Sequence, residues 1–458
     1  MLKDMTQGNP MKLIFSFAIP MLIGNIFQQL YNMVDSVVVG RYVGANALAA
    51  VGSSFPIIML LISMIMGLTM GGGIIISQLY GAKQMDKVKR AISTALIFQG
   101  IAAVLVTILG LTLSRWILTM LNTPMEVFDD SATYMRIFFS GLIAMFAYNA
   151  FSGILRSLGD SKTPLYFLIV ATFVNIFLDI LFVAQFGWGV AGVAWATIIA
   201  QSVSAILCIV YIYRKVPLLA LKPSEFIFDK ELFLTMVKLG IPSSIQQTLA
   251  STGMIAVQGL VNSFGPITMA AFTAAGRLDS LANMPAMNLS MSVSTYTGQN
   301  LGANRVDRVQ AGLIAALKIM AIITVSMSVV VFVAGPYLIQ VFIDASESEV
   351  IRQGVDYMKT VSIFYLVFGT MFIFNGVLRG AGDTTVPMYA TMLNLAVRVI
   401  AAYTLSSTSL GYRGIWMSLP IGWCVGAIIP VFRYFTGKWK DKAVIRQKMM
   451  SQHIDPEI

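Results

Sequence analysis

Histidine is almost missing from this chain, and cysteine and charge are scarce. The single histidine among 458 residues, His453, lies in the polar C-terminal tail. No Ser/His or Cys/His pair can therefore form inside the apolar part of the chain, and an enzyme built on such groups is excluded. Of the two cysteines, Cys208 and Cys424, each falls within an apolar run, which suits reduced packing residues rather than a disulfide framework. Charged residues make up 11% of the chain and hydrophobic residues 57%, with a mean hydropathy of +0.78. A soluble domain carries about 25% charge, so the composition indicates an all-α polytopic membrane protein whose first partner is the lipid bilayer. The formal charge of +10 would ordinarily suggest nucleic acid. Here the charges sit in short loops, and no nucleic-acid partner is expected. Lys3 and Lys12 precede an apolar run in the manner of a signal peptide, but no small-residue cleavage site follows.

What the chain has in abundance is apolar stretches of membrane-spanning length. Windows of about 20 apolar residues predict twelve spans, near 14–38, 47–79, 91–113, 134–156, 164–185, 190–213, 236–262, 268–299, 311–334, 357–378, 386–408 and 413–435. Successive loops alternate in charge. One set holds most of the Lys and Arg, from Lys83, Lys87, Lys89 and Arg90 through Arg214 and Lys215 to Arg433 and Lys438. The other is mixed with Glu126, Asp129, Asp130, Asp344, Glu347 and Glu349. The excess of basic residues on the cytoplasmic side places both termini in the cytoplasm of a multi-pass plasma-membrane protein, in agreement with an even number of spans.

The chain repeats itself. ISQLYGAKQMDKVKRAI (76–92) matches TGQNLGANRVDRVQAGL (297–313), SGILRSLGDSKTP (152–164) matches NGVLRGAGDTTVP (375–387), and Ala18–Ile19–Pro20 matches Gly240–Ile241–Pro242, always at an offset of 221–223. A constant offset over three blocks marks an internal repeat. The predicted organisation is two pseudo-symmetric six-helix bundles: an N-lobe at 1–213, a cytoplasmic linker at 214–235, a C-lobe at 236–435 and a basic tail at 436–458. An even number of spans per lobe makes the repeats parallel, a design that places a substrate site near the bilayer midplane and works by rocking of the lobes. In the shared LR-x-x-GD-x-x-x-P turn, Gly and Asp permit the turn and Pro starts the next helix. Arg156 and Asp160, and Arg379 and Asp383, are candidates to pair there in a structural role.

Ionisable groups inside spans are expensive, by roughly 2.5–3.5 kcal/mol for Asp at a helix centre, and mark functional sites. The first span carries Asp35, with the kink-prone Pro20 about four turns earlier. The fifth carries Asn175 and Asp179, four apart and so on one helix face. The sixth carries Thr197. Two carboxylates, an amide and a hydroxyl suit a hard monovalent cation such as Na+, or a proton shared between the carboxylates, which cannot both ionise readily without a cation. In the second half, Arg398 stands where Asn175 would align and Ala402 where Asp179 would. Arg398 needs an acceptor there, and Asp279 is the candidate partner in a packing ion pair. Arg277 and Arg398 also keep open a cavity for anionic cargo. Met33, Met66 and Met287 are candidates for an adaptable substrate lining, although any single methionine more commonly just packs or faces lipid.

Together these features resemble the multidrug and toxic compound extrusion (MATE) family of the flippase-like superfamily. The resemblance rests on Pro20 and Asp35 in the first span, the following VGRYVGANALAAVG, the Q-x-x-GA stretch after the second span and the two LR-x-x-GD-x-x-x-P turns, and it covers both halves. It implies a MATE-type fold and export of organic cations and amphipathic drugs in exchange for Na+ or H+, by a monomeric chain without a cofactor. Asp35, Asn175, Asp179 and Thr197 fall on the N-lobe cation site of DinF-like members. Tyr31 falls on the pocket beside it and Pro20 on the bend of the first helix, and Gln28 is a further candidate for the substrate cavity. The stretches Gln246–Val257 and Tyr365–Asn375 carry no carboxylate, unlike the NorM branch. A lipid-linked or anionic-substrate flippase of the same superfamily is the alternative.

Overall fold

The computed structural model describes residues 3–216 and 219–444, so the linker residues 217–218 and the tail from 445, including His453, lie outside the described residues. The described chain is helical, with no strand. It consists of α1 (Pro10–Val38), α2 (Ala45–Gly81), α3 (Met85–Met120), α4 (Met125–Ser140), α5 (Leu142–Ser157), α6 (Lys162–Asp179), α7 (Gly189–Lys215), α8 (Lys230–Ser263), α9 (Pro266–Gly302), α10 (Val306–Gln340), α11 (Ser348–Ser362), α12 (Tyr365–Ala381), α13 (Thr385–Ser406) and α14 (Tyr412–Phe435). Short π-helical turns, Val39–Val43 and Ile180–Gln185, extend α1 and α6.

Each of the twelve predicted spans coincides with a helix or a bent helix pair. Among the described residues eight helices are long and apolar enough to cross a membrane by length and composition, and the bent pairs α4–α5 (46°) and α11–α12 (49°) bring the number to ten. α8 and α9 are long but polar, carrying Lys238 and Gln246, and Arg277, Asp279 and Asn283. The predicted fourth and tenth spans differ from a straight helix: each is broken near its middle. At the first break Gly141 has no Cβ, and one placed there would collide with Ile198 of α7. The lipid-facing character of the surface is plain on α3, where Val104, Leu105, Ile108 and Leu109 are exposed. In the membrane such residues meet hydrocarbon, not water.

The chain forms two compact units. The first comprises Met1–Lys3, Pro20–Tyr80 and Gln84–Ile241, the second Asp4–Ile19, Gly81–Lys83 and Pro242–Ile458. Two of the changes from one unit to the other fall at the repeated prolines, Pro20 and Pro242. Within the first unit, α7 packs against α4, α5 and α6, and α3 packs against α4 and α5. One core cluster joins Val38, Ile58, Tyr134, Val183 and Val193. A second joins Ile65, Leu118, Met135, Phe139 and Phe146. The segment before α8 is tied to α3 by the Lys89–Glu225 ion pair (2.9 Å), by Ser93 Oγ donating to the Ile227 carbonyl and by the Asp229 amide donating to Thr94 Oγ1. Within the second unit, α9 packs on α10, α11 and α12, and α13 on α14. Gly376 and Gly380 let α12 close onto α9, since a Cβ at either would run into the Ser290 or Ser294 carbonyl.

The repeated turns depart from the expected Arg–Asp pairing. Asp160 instead receives the Lys162 and Thr163 amides (both 3.1 Å) and the Thr163 hydroxyl (2.7 Å), capping the start of α6. Asp383 is paired with Arg433 (2.7 Å), and Arg379 donates to Ser290 Oγ (2.6 Å). The physical reason lies in the helix that each Arg ends. Arg379 is buried against α9, so its guanidinium finds its acceptor there and not across the turn.

Candidate functional site

The first unit contains a cavity of about 180 Å³ whose wall includes Gln28, Tyr31 and Asp35 of α1, Tyr134 and Phe138 of α4, and Thr197 and Gln201 of α7. The local reasons for this arrangement are legible in the helices. Gln28, Tyr31 and Asp35 recur at spacings of three and four, so they share a face of α1. Thr197 and Gln201 share a face of α7 in the same way. Gly141, at the break between α4 and α5, also lines the cavity, so the bend shapes its wall.

Asp35 lies beside Asp179 and Asn175 of α6. Asn175 and Asp179 are 1% and 0% exposed and stand behind the cavity wall. Tyr31 lies against Thr197, and Tyr134 faces both carboxylates. The structure thus brings Asp35, Asn175, Asp179 and Thr197 into one cluster. Their polar atoms are unusual: Asp35 Oδ1, both carboxylate oxygens of Asp179, both ends of the Asn175 amide and Thr197 Oγ1 are buried without a hydrogen-bond partner among the described residues. Leaving one buried donor or acceptor unsatisfied costs about 1–3 kcal/mol, and more for a charged group. Native proteins seldom hold such a set in one place unless something else satisfies it. A proton on one carboxylate turns the facing pair from two acceptors into a donor and an acceptor. A monovalent cation achieves the same end by accepting oxygen ligands from all four side chains. Among the described residues no group of three or more His, Cys, Asp or Glu could hold a metal ion, and a donor set of two carboxylates, an amide and a hydroxyl suits a hard cation rather than a transition metal.

A backbone feature absent from any hydropathy reading accompanies the carboxylates. The α-helical part of α6 ends at Asp179, and that of α1 ends three residues after Asp35. Both helices then pass into π-helical turns, closed by the Phe186 amide to the Leu181 carbonyl (3.0 Å) and the Gly44 amide to the Val39 carbonyl (3.1 Å). The two turns pack against each other and against α7. Such wide turns occur mostly as insertions at functional sites.

The other predicted site residues are placed differently. Met33 and Met66 are exposed and do not line this cavity, whereas Met59 and Met145 do. Arg277, Met287 and Arg398 belong to the second unit. There Arg277 lies over the Phe342 ring at 5.8 Å. The expected ion pair between Arg398 and Asp279 is not made directly. Asp279 receives the Tyr365 hydroxyl and the Asn283 amide, each at 3.0 Å, while Arg398 Nε is buried without a hydrogen-bond partner among the described residues. Two neutral donors on nearby turns already satisfy the carboxylate, so the guanidinium acts on it through space. Pro20 sits inside α1 without ending it. Tyr134, Phe138 and Gln201 were missed at the level of sequence. Only Gln201 carried a signal, standing four residues after Thr197.

Comparison with known proteins gives a consistent picture. The family model described as MatE matches residues 20–181 and again 242–404, so the internal repeat is matched at an offset of 222–223. The probable multidrug resistance protein YoeA of Bacillus subtilis is 33% identical over 439 residues, spanning 94% of each chain. YpnP of the same organism is 32% identical over 447 residues, covering 97% of this chain and 99% of its own. The probable multidrug resistance protein NorM of Thermotoga maritima is 24% identical over 96% of both chains. Among solved structures, the crystal structure of MATE in the bent conformation superposes with a TM-score of 0.88 at 25% identity, covering 95% of this chain and 98% of that one. The outward-facing conformation of a multidrug resistance MATE family transporter of the MOP superfamily gives 0.87 at 25% identity, covering 95% and 98%.

Proposed function

The chain belongs to the MatE family, whose members are membrane transporters and not enzymes, and from that premise we propose that it is a secondary antiporter. It exports organic cations and amphipathic compounds in exchange for Na+ or H+, and Asp35, Asn175, Asp179 and Thr197 bind the coupling ion. The observation that carries this reading is the set of buried, unpartnered oxygens on those four side chains. Ion entry down the membrane potential supplies about 2.3 kcal/mol per charge per 100 mV. The empty cluster attracts the ion, and the loaded cluster is neutralised, so the two states favour different arrangements of the protein. Gln28, Tyr31 and Tyr134 form the adjoining cargo wall. The cavity is smaller than the roughly 300–1,000 Å³ of drug-sized pockets, so it receives the charged end of a larger molecule.

The functional division follows the repeat: an N-lobe at 1–213 that carries the coupling site, a linker at 214–235, a C-lobe at 236–435 and a basic tail. Pro20 is the hinge point of α1, both termini are cytoplasmic, and the working unit is a monomer in the plasma membrane. The absence of a carboxylate from the stretches where the NorM branch carries its own aligns the protein with DinF-like members. A second reading, export of an anionic or lipid-linked compound, is favoured by one observation, the Arg398 Nε that is buried without a hydrogen-bond partner among the described residues. A solved relative at 25% identity, from Pyrococcus furiosus, is described as having a binding pocket of reverse polarity that suggests a different function. The carboxylates of the cavity here favour a cationic cargo.

The test is export of a fluorescent organic cation from proteoliposomes under a sodium gradient or a pH gradient, imposed one at a time. Response to sodium at fixed pH identifies a sodium antiporter, and response to pH alone identifies a proton antiporter. Response to neither, together with transport of an anionic lipid analogue, overturns the proposal.

A further inference from the structure

Gln201 has no role in the ion cluster, yet its amide oxygen is buried without a hydrogen-bond partner among the described residues and it lines the cavity beside Asp35 and Thr197. It stands one turn beyond Thr197 on the same face of α7. The wall holds other acceptors, on Gln28, Asn32 and Ser36, but outside the ion cluster the Gln201 oxygen is the lining acceptor left buried and unpartnered among the described residues. The carboxylate of Asp35 draws any cation, and the ring faces of Tyr31, Tyr134 and Phe138 attract ammonium groups whether or not they carry hydrogen. A carbonyl oxygen differs, because it accepts from an N–H and gains little from a fully alkylated nitrogen. A site built to hydrogen-bond a substrate N–H discriminates against the analogue that lacks it, because its own buried acceptor is then left unpaired.

We propose that Gln201 is a specificity-determining residue: its amide oxygen accepts a hydrogen bond from the N–H of a protonated amine cargo and so favours protonated amines over quaternary ammonium compounds. This rests on the cavity being the cargo site, as proposed above. The wall then has two separate tasks. Asp35 and the rings supply affinity for charge, and Gln201 supplies the choice among cations.

The experiment compares a matched pair of probes, a fluorophore bearing a dimethylalkylamine and the same molecule N-methylated to the quaternary ammonium. Export is measured in proteoliposomes at pH 7, where the amine is protonated. The quantity read is the ratio of amine to quaternary export, in which the amount of folded protein cancels. Wild type is expected to favour the amine. Gln201→Leu, and Gln201→Met as a second variant of similar bulk, are expected to lower the ratio about three- to tenfold, the worth of one hydrogen bond. Gln201→Glu, which keeps an acceptor, is expected to hold the preference. An unchanged ratio in both Gln201→Leu and Gln201→Met overturns the proposal, as does a wild type that shows no preference. Asp35→Asn is the separate control. If it exports both probes as wild type does, the coupling-site reading fails whatever Gln201 does. If it stops both while the Gln201 variants leave the ratio unchanged, only the present inference fails.

Discussion

The two halves share their turns, their changeover prolines and their bent fourth helix, but they treat intramembrane charge in opposite ways. In the first half Asp35 and Asp179 face one another, and Asp35 Oδ1 and both Asp179 oxygens are buried without a hydrogen-bond partner among the described residues. In the second half the lone Asp279 is held by Tyr365 and Asn283, with Arg398 acting on it through space. Arg398 occupies the repeat position of Asn175, and Ala402 that of Asp179. The second half thus carries a positive charge tethered to the backbone, where the first half, in the function proposed here, leaves room for one that comes and goes. A repeat preserves the packing that makes a fold. It does not preserve the chemistry placed on that packing.

The largest expected effect breaks the first half alone. Asp35→Asn or Asp179→Asn reduces ion-driven export at least about 100-fold, to background, with the protein still folded, as checked by proteoliposome transport and by size-exclusion profile. Asp279→Asn keeps the ion dependence of export per folded chain. Its effect is on stability instead, because Arg398, whose Nε is buried, loses the carboxylate that acts on it. The expected loss is about 3 kcal/mol, read by thermal unfolding in detergent. The Asp279→Asn, Arg398→Met double variant recovers part of that loss, and the recovery measures the through-space coupling of the two.

A smaller effect separates the two bends. At the first, Gly141→Val forces a side chain against Ile198 and is expected to cost about 1–3 kcal/mol. At the second, Ile363 is 62% exposed, and Ile363→Val should change stability by less than about 0.5 kcal/mol. The same thermal unfolding assay checks both.

The smallest effect lies in the segment that precedes α8. The Lys222 backbone amide and then the Lys89 ammonium hold the Glu225 carboxyl below its usual range. A carboxyl lowered by folding stabilises the folded state above its unfolded pKa and loses that contribution as pH falls through the folded value. Acidification below about pH 4 should therefore release the segment around Glu225 from α3 before the spans unfold, visible as faster hydrogen exchange at residues 222–229. Lys89→Ala should shift that release to higher pH.

Much of this was legible in the sequence, for identifiable reasons. A span needs about 20 apolar residues, so hydropathy located twelve helical units. A repeat with an offset that never strays beyond 221–223 exposed the two halves. Asn175 and Asp179 are four apart, and that spacing alone put them on one face. What was not legible depends on contacts that hydropathy does not encode. The π-helical turns after Val38 and Asp179 are a backbone register change with no residue signature. The bend at Gly141 follows from how close α7 comes. Tyr134 reaches the cluster from α4, which the sequence alone does not place beside Asp35 and Asp179. Asp279 looked like a partner for Arg398 on charge alone, but Tyr365 and Asn283, on other turns, reach it directly.

The most direct test counts ions on the purified protein. Sodium binding is followed by calorimetry and proton release by a pH-sensitive dye in weakly buffered solution, for wild type, Asp179→Asn and Asp279→Asn. The account predicts that wild type binds the coupling ion, that Asp179→Asn no longer does, and that Asp279→Asn binds it as wild type does. Loss of binding in Asp279→Asn with retention in Asp179→Asn would contradict the assignment and move the coupling site to the second half.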